Sequence, residues 1–555
     1  MGLEINFLST KSMSKENMKL QLMKAWNLRI LGLILLASCC FSCKKAADLG
    51  EDPYAGGKAP LGIRFSNSLP KPASGSAGTE VVYQITGLPT YKDKMEFYLN
   101  DTKAEVLEVT DKTVKIKVPE GASSGGVTII IDGQIFFGPE FTVAGKAGID
   151  PTFKSVMGTD YSINQIMPLA NGNLILVGAF TDYENNASAK QPINGIVSIS
   201  ADGQYIPSLA SGAGAKGLLT SMTRMSNGQY MIGGLFSAYN KRKSIGGITR
   251  LNANGSLDST IVELLNLTPL EPKNSFDTVA RFNGAVSGVV RKVFNYNNKV
   301  ITVGSFDSYY AHFYERSTRD NKVIGFTKMN MLLRMDANGK LDSAYNFNAA
   351  TGTSYEAANG QITDALMQDD GKVILVGSFT RFQGSNTNYI TRVDDKGLID
   401  PTFQAGAGAD GPIGAVRYNA SKGKYMVTGS FKTFNGKAAD GVVMMNKDGS
   451  VDESFKLGTI EGGNVGFSAQ LSNGMILLTG SFNKYNGIVR QGFMLLNPDG
   501  TLAKGYNNTG KFQGTIADIY ETTSALGFPA VLMVGTINKF DNKSVGNLVR
   551  FILRP

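Results

Sequence analysis

The sequence predicts an all-β protein, in which a small antiparallel sandwich is followed by a closed, seven-bladed β-propeller. Three observations carry that expectation. With 65 glycines and only 18% charged residues among 555, the composition suits turn-rich sheets better than helices. One phrase recurs seven times: NLILVGAFTDY (173–183), QYMIGGLFSAY (229–239), KVITVGSFDSY (299–309), KVILVGSFTRF (372–382), KYMVTGSFKTF (424–434), MILLTGSFNKY (475–485) and AVLMVGTINKF (530–540). A second phrase closes most units and is divided between the two ends of the array. The chain is too long for one ordinary core, so several domains or a repeat array are expected.

At the N-terminus, Lys19, Lys24 and Arg29 precede the apolar run LGLILLAS (31–38), the layout of a secretory signal. The run is about ten residues, against roughly 20 for a membrane-spanning helix. Leu36-Ala37-Ser38-Cys39 resembles the bacterial lipobox, in which the cysteine becomes the acylated N-terminus. Cys39 is the expected lipidation site, with Cys43 the competing acceptor; multiple acyl chains would anchor the protein durably to a membrane. Met13, Met18 or Met23 are alternative starts. The expected division is a lipoprotein signal peptide at 1–38 and a lipidated, polar tether at 39–59 that holds the body off the membrane. The sandwich then covers 60–145 and the propeller 146–555.

Composition also excludes. The formal charge is +9; the leader holds Lys11, Lys15, Lys19, Lys24 and Arg29 against Glu4 and Glu16, so its loss (+3) leaves +6. No basic block stands out, and nucleic acid is not an expected partner. Cys39, Cys40 and Cys43 are the only cysteines, so the folded body has no disulfide, thiolate metal site or cysteine nucleophile. His312 is the only histidine, which rules out a multi-histidine metal site. No catalytic residue, metal or cofactor is expected.

Between 60 and 145, strands are predicted at 79–87, 94–101, 113–121, 126–133 and 139–145, separated by turn residues. Ser74-Gly75-Ser76-Ala77-Gly78-Thr79-Glu80-Val81, Val118-Pro119-Glu120-Gly121 and Gly138-Pro139-Glu140-Phe141-Thr142-Val143 resemble immunoglobulin-like IPT/TIG domains. That resemblance implies a spacer or binding module.

In the array, the marker glycines Gly178, Gly234, Gly304, Gly377, Gly429, Gly480 and Gly535 are separated by 56, 70, 73, 52, 51 and 55 residues. Such a period, with several short strands per unit, points to propeller blades. Asn171-Gly172, Asn227-Gly228, Asp370-Gly371 and Asn473-Gly474 predict tight hairpin turns. The apolar strand after each is expected to be covered on both faces, and the marker Gly to remove a Cβ where backbones crowd. The closing phrase appears at 252–261, 336–345, 394–403, 446–455 and 497–506. The seventh unit lacks it, and Gly148-Ile149-Asp150-Pro151-Thr152-Phe153 supplies it from the start of the array. An N-terminal strand therefore completes the last blade and removes its free edges. Eight blades remain open if a degenerate unit occupies 259–295.

These phrases resemble the delta-60 repeat (DUF5122) propellers, through Gly-x-Asp-Pro-Thr-Phe and Asp/Asn-Gly-x-x-x-x-Val-Gly-x-Phe. Together with the lipobox and the IPT/TIG-like segment, they resemble secreted lipoproteins of Bacteroidetes, some of which accompany SusC/SusD-type nutrient importers. The resemblance implies an accessory protein with SusC/SusD-like transporter partners and a polysaccharide or oligosaccharide ligand. It also implies an outer-membrane location at the cell surface, with the periplasmic face as the alternative.

The repeated aromatics Tyr183, Tyr239, Tyr309, Phe382, Phe434, Tyr485 and Phe540 read as inter-blade packing, with a sugar-stacking ring as the alternative. The distinctive stretch is the insertion DSYYAHFYERSTRDN (307–321), where Tyr309, Tyr310, His312, Phe313, Tyr314 and Arg316 form a candidate ligand-binding loop. Asp336-Ala337-Asn338-Gly339-Lys340-Leu341-Asp342 lacks the bidentate acid of a calcium loop and reads as turn chemistry. The expected function is non-catalytic nutrient binding, glycan above all. A protein-interaction scaffold and a propeller hydrolase or lyase dependent on His312 are the alternatives.

Overall fold

Alternating apolar and polar residues build the first sheet, because successive strand side chains point to opposite faces. In Glu80–Thr86, Val81, Tyr83 and Ile85 are buried while their neighbours face outward. The computed structural model describes residues 59–555, and Cys39 and Cys43 lie outside them. Eight strands follow the order Arg64–Phe65, Glu80–Thr86, Thr113–Lys117, Thr102–Val109, Met95–Leu99, Gly125–Ile131, Gln134–Val143, Ser74–Gly75. Two features differ from the sequence expectation. Thr102–Val109 is a strand although half its side chains are polar and only Ala104 is buried; pairing on both sides holds it. Ser74–Gly75 runs parallel to Thr142–Val143, so the sheet is not purely antiparallel.

The rest of the chain forms seven larger sheets of the same design. Each contains three antiparallel strands paired in chain order, as in Ile362–Met367, Val373–Gly377 and Ile390–Val393. The middle strand of the first and fourth sheets is apolar and buried throughout, because neighbouring sheets cover both its faces, and the central residues of the middle strands of the third, fifth and sixth are buried as well. The first strand of each sheet lies beside the first strands of its two neighbours, and Ile163–Pro168 of the first sheet lies beside Gln513–Thr523 of the seventh. The apolar core is accordingly distributed between sheets. One cluster joins the third and fourth through Ile301, Val303, Leu375 and Phe379. Another joins the first and seventh through Ile163, Leu176, Leu532 and Val534.

The closing phrases supply little strand. Each makes a single bridge, such as Val393 with Ile399 or Leu496 with Leu502. At the end of the array, Ala147–Ile149 pairs with Leu548–Leu553, placing Ile149 opposite Phe551. Residues 259–280 do not add a blade: Ser259–Glu263 and Phe276–Ala280 form a separate two-stranded hairpin.

What the closing phrase does supply is an aspartate. Asp150, Asp258, Asp342 and Asp400 accept from the Nε of Arg550, Arg250, Arg334 and Arg392 at 2.7 to 2.8 Å. Each arginine also donates through Nη1 to a carbonyl in the next sheet: Ala201, Ala337, Asp395 and Lys447 respectively. Three of them lie over the closing aromatic, Arg550 over Phe153 at 4.8 Å, Arg392 over Phe403 at 4.9 Å and Arg334 over Tyr345 at 4.6 Å. In Asp-Pro-Thr-Phe, the other carboxylate oxygen accepts from the backbone and hydroxyl of the Thr two residues on. Burial pushes the Asp400 carboxyl up, but these donors and Lys372 outweigh it and hold the group well below the usual carboxylate range. The fifth sheet lacks the arginine, and Lys424 reaches Asp452 at 2.7 Å instead.

A β-bulge near the start of the first strand recurs in all seven sheets, at Asn164, Thr220, Arg291, Thr363, Gly414, Gly466 and Ala517. The marker glycine lies opposite the bulge. A Cβ at Gly480 would collide with the Asn464 carbonyl oxygen, and the other six meet the equivalent carbonyl. Gly466, on the facing strand, has nothing nearer than 3.8 Å. Gly480→Ala is therefore expected to destabilise the fold by about 2–3 kcal/mol and Gly466→Ala by less than about 1 kcal/mol. Urea denaturation of the two variants measures the difference; equal midpoints would contradict the bulge argument.

Candidate functional site

The repeated aromatics are structural. All seven are buried. The hydroxyls of Tyr183, Tyr239, Tyr309 and Tyr485 donate to the carbonyls of Gly203, Gly255, Gly339 and Gly500, at 2.5 to 2.9 Å. Those glycines sit in the closing turns, so in these four units the two recurrent phrases are bonded to each other. Where Phe382 replaces tyrosine, the next residue, Gln383, donates to Gly397 at 2.8 Å and performs the same task. These rings offer no face to a ligand.

The insertion in the third sheet is different. Ser308–His312 pairs with Ile324–Lys328, setting Tyr310 opposite Phe326 and His312 opposite Ile324. Directly opposed residues share one face of an antiparallel pair. That face carries Tyr310, His312, Ile324 and Phe326, and Tyr314 extends it from the short turn Tyr314–Arg316. The ring centroids of Tyr310 and Phe326 are 5.8 Å apart, those of Tyr310 and His312 6.2 Å. His312 and Tyr314 are stacked at 5.4 Å with an interplanar angle of 11°. Phe326 is 65% exposed, so the face is open at that end. Asn283 holds the strand by bonding both the N–H and the carbonyl of His312 at 2.9 Å.

The expected site residues divide. Tyr310, His312 and Tyr314 come together on this face. Tyr309 points the other way into the core, since adjacent strand residues alternate, and its placement corrects the expectation of a ligand-facing ring. Phe313 packs against Gly325 on the reverse side, and Arg316 lies over its ring at 5.1 Å, so these two also leave the face. Phe326 and Ile324 were missed by sequence reasoning. Their signal is the short apolar run Val323-Ile324-Gly325-Phe326 after the polar Asp320-Asn321-Lys322 segment, which marks a returning strand.

The neighbouring hairpin belongs to the same structure. Leu265 N–H donates to the Ser317 carbonyl at 2.9 Å, and Lys322 pairs with Asp277 at 2.9 Å. This hairpin exposes Ile261 and Phe276 on its strands, and its connection exposes Leu265, Leu267 and Leu270. Large apolar side chains gathered in this way mark a contact surface.

Burial pushes the Tyr314 hydroxyl up to about 12, with Asp277 adding to the effect. Burial also holds the His312 imidazole below its ordinary value, assisted by the Lys322 ammonium. Neither ring nitrogen of His312 has a hydrogen-bonding partner among the described residues. The arrangement can stack and exclude water. Aspartates such as Asp336 accept from nearby backbone N–H groups, here Asn338 and Lys340, which is turn chemistry.

Residues 35–139 match the family model described as domain of unknown function DUF5008, over the segment whose sequence resembles IPT/TIG domains. Residues 226–260, 368–403, 422–455 and 471–502 match the DUF5122 beta-propeller domain of unknown function. No curated protein matches the chain. Among solved structures, the chain is similar to the WD40 beta-propeller domain of Doa1, with 14% identity over 73% of this chain and 96% of that one, at a TM-score of 0.39. It is also similar to an auxiliary nutrient binding protein from Bacteroides ovatus, with 12% identity, coverage of 89% and 98%, and a TM-score of 0.28. It is similar as well to a protein of unknown function from Bacteroides thetaiotaomicron, with 12% identity over 90% of this chain and 99% of that one, at a TM-score of 0.28.

The half-buried placement of His312 has a consequence for its titration. Its depressed pKa means that the neutral form is favoured in the folded state, a contribution present above about pH 6.5 and lost as pH falls through the folded value. Because it is the only histidine, its Cε1–H resonance is identifiable without assignment. The expected NMR midpoint lies below about 6.5; a midpoint at or above that value would contradict the desolvated, aromatic environment.

Proposed function

We propose that this protein is a non-catalytic binding protein, lipid-anchored at the outer membrane, that captures a nutrient, glycan above all, for a SusC/SusD-type import complex. The observation that carries the binding reading is the open aromatic face of Tyr310, His312, Tyr314 and Phe326, set on a paired hairpin rather than a loose loop. Flat rings held in place lose little entropy when a ligand stacks on them. Anchoring and location rest on the sequence, through the lipobox-like Leu36-Ala37-Ser38-Cys39 with Cys43 as the alternative acceptor.

A second reading has its own support. The exposed Ile261, Leu267, Leu270 and Phe276 beside the aromatic face suit contact with a protein, such as a transporter subunit.

Affinity electrophoresis against a polysaccharide panel, followed by calorimetry, tests the first reading. Phe326→Ala and Tyr314→Ala are each expected to weaken binding about tenfold or more, which is ~1.4 kcal/mol. Phe137→Ala, an exposed ring in the first sheet, should change nothing. Failure to bind any polysaccharide, alongside co-purification with outer-membrane proteins that Phe276→Ala abolishes, would replace the first reading by the second. Polysaccharide cleavage that His312→Ala eliminates would overturn the non-catalytic reading.

A further inference from the structure

A second polar concentration lies where the N-terminal sheet meets the propeller. The Ser124 N–H donates to the Asn508 carbonyl at 2.9 Å, and the Asn508 side chain donates to the Val143 and Ala147 carbonyls at 3.0 Å. Beside these bonds lies a cavity of about 520 Å³ lined by Ser76, Glu120, Lys146, Arg490, Lys504 and Asn508, among others.

Arg490 is the unusual member. It is only 5% exposed, yet no carboxylate lies within ion-pair distance of it among the described residues. Buried charges are ordinarily paired, because desolvation penalises an isolated one heavily. Burial without an opposing charge draws its pKa down to about 10. The position five residues after the repeated aromatic holds Ser188, Ser244, Thr387, Ala439 and Val545 in other units. Only the sixth places a charge there, at the contact with the N-terminal sheet.

The guanidinium is partly satisfied, and in an informative way. Its Nη1 donates to the Gly121 carbonyl at 2.9 Å and to the Val489 carbonyl at 2.6 Å. Nε is buried with no acceptor, and Nη2 has none among the described residues. Nε–H and Nη2–H together form the fork that receives a carboxylate or similar oxyanion side-on. The Oδ1 of Asn508, a lining residue, is buried without a donor, an acceptor suited to a ligand hydroxyl rather than to the oxyanion itself. The lining adds two more cations, Lys146 and Lys504, against the single carboxylate of Glu120.

We propose that this junction cavity binds a small ligand through an oxyanion, a carboxylate or a sulfate, received by the Nε–Nη2 edge of Arg490. Lys504 supplies long-range attraction, and the ligand bridges the two parts of the fold. This site is independent of the aromatic face of the third sheet.

Thermal unfolding of the full chain, titrated with sodium glucuronate, sodium sulfate and neutral glucose at constant ionic strength, tests the proposal. Glucuronate or sulfate should raise Tm saturably while glucose does not. Arg490→Lys keeps the charge but loses the fork, and is expected to weaken the effect at least tenfold. Lys504→Glu, an exposed substitution that leaves the Arg490 hydrogen bonds intact, should weaken it severalfold and guards against a folding defect in the first variant. No saturable shift with either oxyanion would overturn the proposal. So would a shift that survives in a folded Arg490→Lys protein, because the anion would then bind elsewhere.

Discussion

A buried arginine bonded to a closing-phrase aspartate, and forward to a carbonyl in the next unit, is the directional constraint at four of the seven contacts between units, including the one that joins the chain ends. Sheet pairing alone would leave each unit free to slide over its neighbour, since the surfaces between units are apolar and non-directional. The bracket is directional. Arg250, Arg334 and Arg392 tie the second unit to the third, the third to the fourth and the fourth to the fifth. Arg550 performs the same task across the chain ends, pairing with Asp150 and reaching Ala201 of the first unit. Buried ion pairs often add little net stability over apolar packing, but breaking one by removing a single partner is costly, and such pairs can fix register. Here the register is that of a ring whose two ends must meet.

Much of this was legible in the sequence. The apolar strand, the marker glycine, the repeated aromatic and the divided closing phrase each follow from local constraints that a linear chain must write out in every copy. Gly480 is glycine because a bulge brings the Asn464 carbonyl against it. Tyr485 is aromatic because it fills the space between sheets and bonds Gly500. Other features were unreadable because they depend on contacts between distant segments. Arg392 and Asp400 stand eight residues apart in plain view, yet their roles emerge only when the next unit presents the Lys447 carbonyl. Thr102–Val109 is a strand by virtue of its partners rather than its own side chains.

The candidate site shows the same division. Sequence located the insertion, because it interrupts a repeat and is rich in aromatic residues. It could not sort the rings. Strand alternation sends Tyr309 inward and Tyr310 outward, and cross-strand pairing brings in Phe326, which lies beyond the stretch that drew attention. A rigid scaffold with uniform units leaves individuality to the places where units differ, namely the third-unit hairpins and the single buried charge of the sixth. Those differences, rather than the repeats, are where the two proposed binding sites lie.

The ring-closing bracket is tested most directly by a double-mutant cycle on Asp150→Asn and Arg550→Met, read as unfolding free energies. Each single change should cost about 3–5 kcal/mol, because it strands a buried polar or charged partner. The double change should cost less than the sum of the two by at least about 1 kcal/mol. Additivity within about 0.5 kcal/mol would show that the two residues act independently, and the ends would then be joined by strand pairing alone.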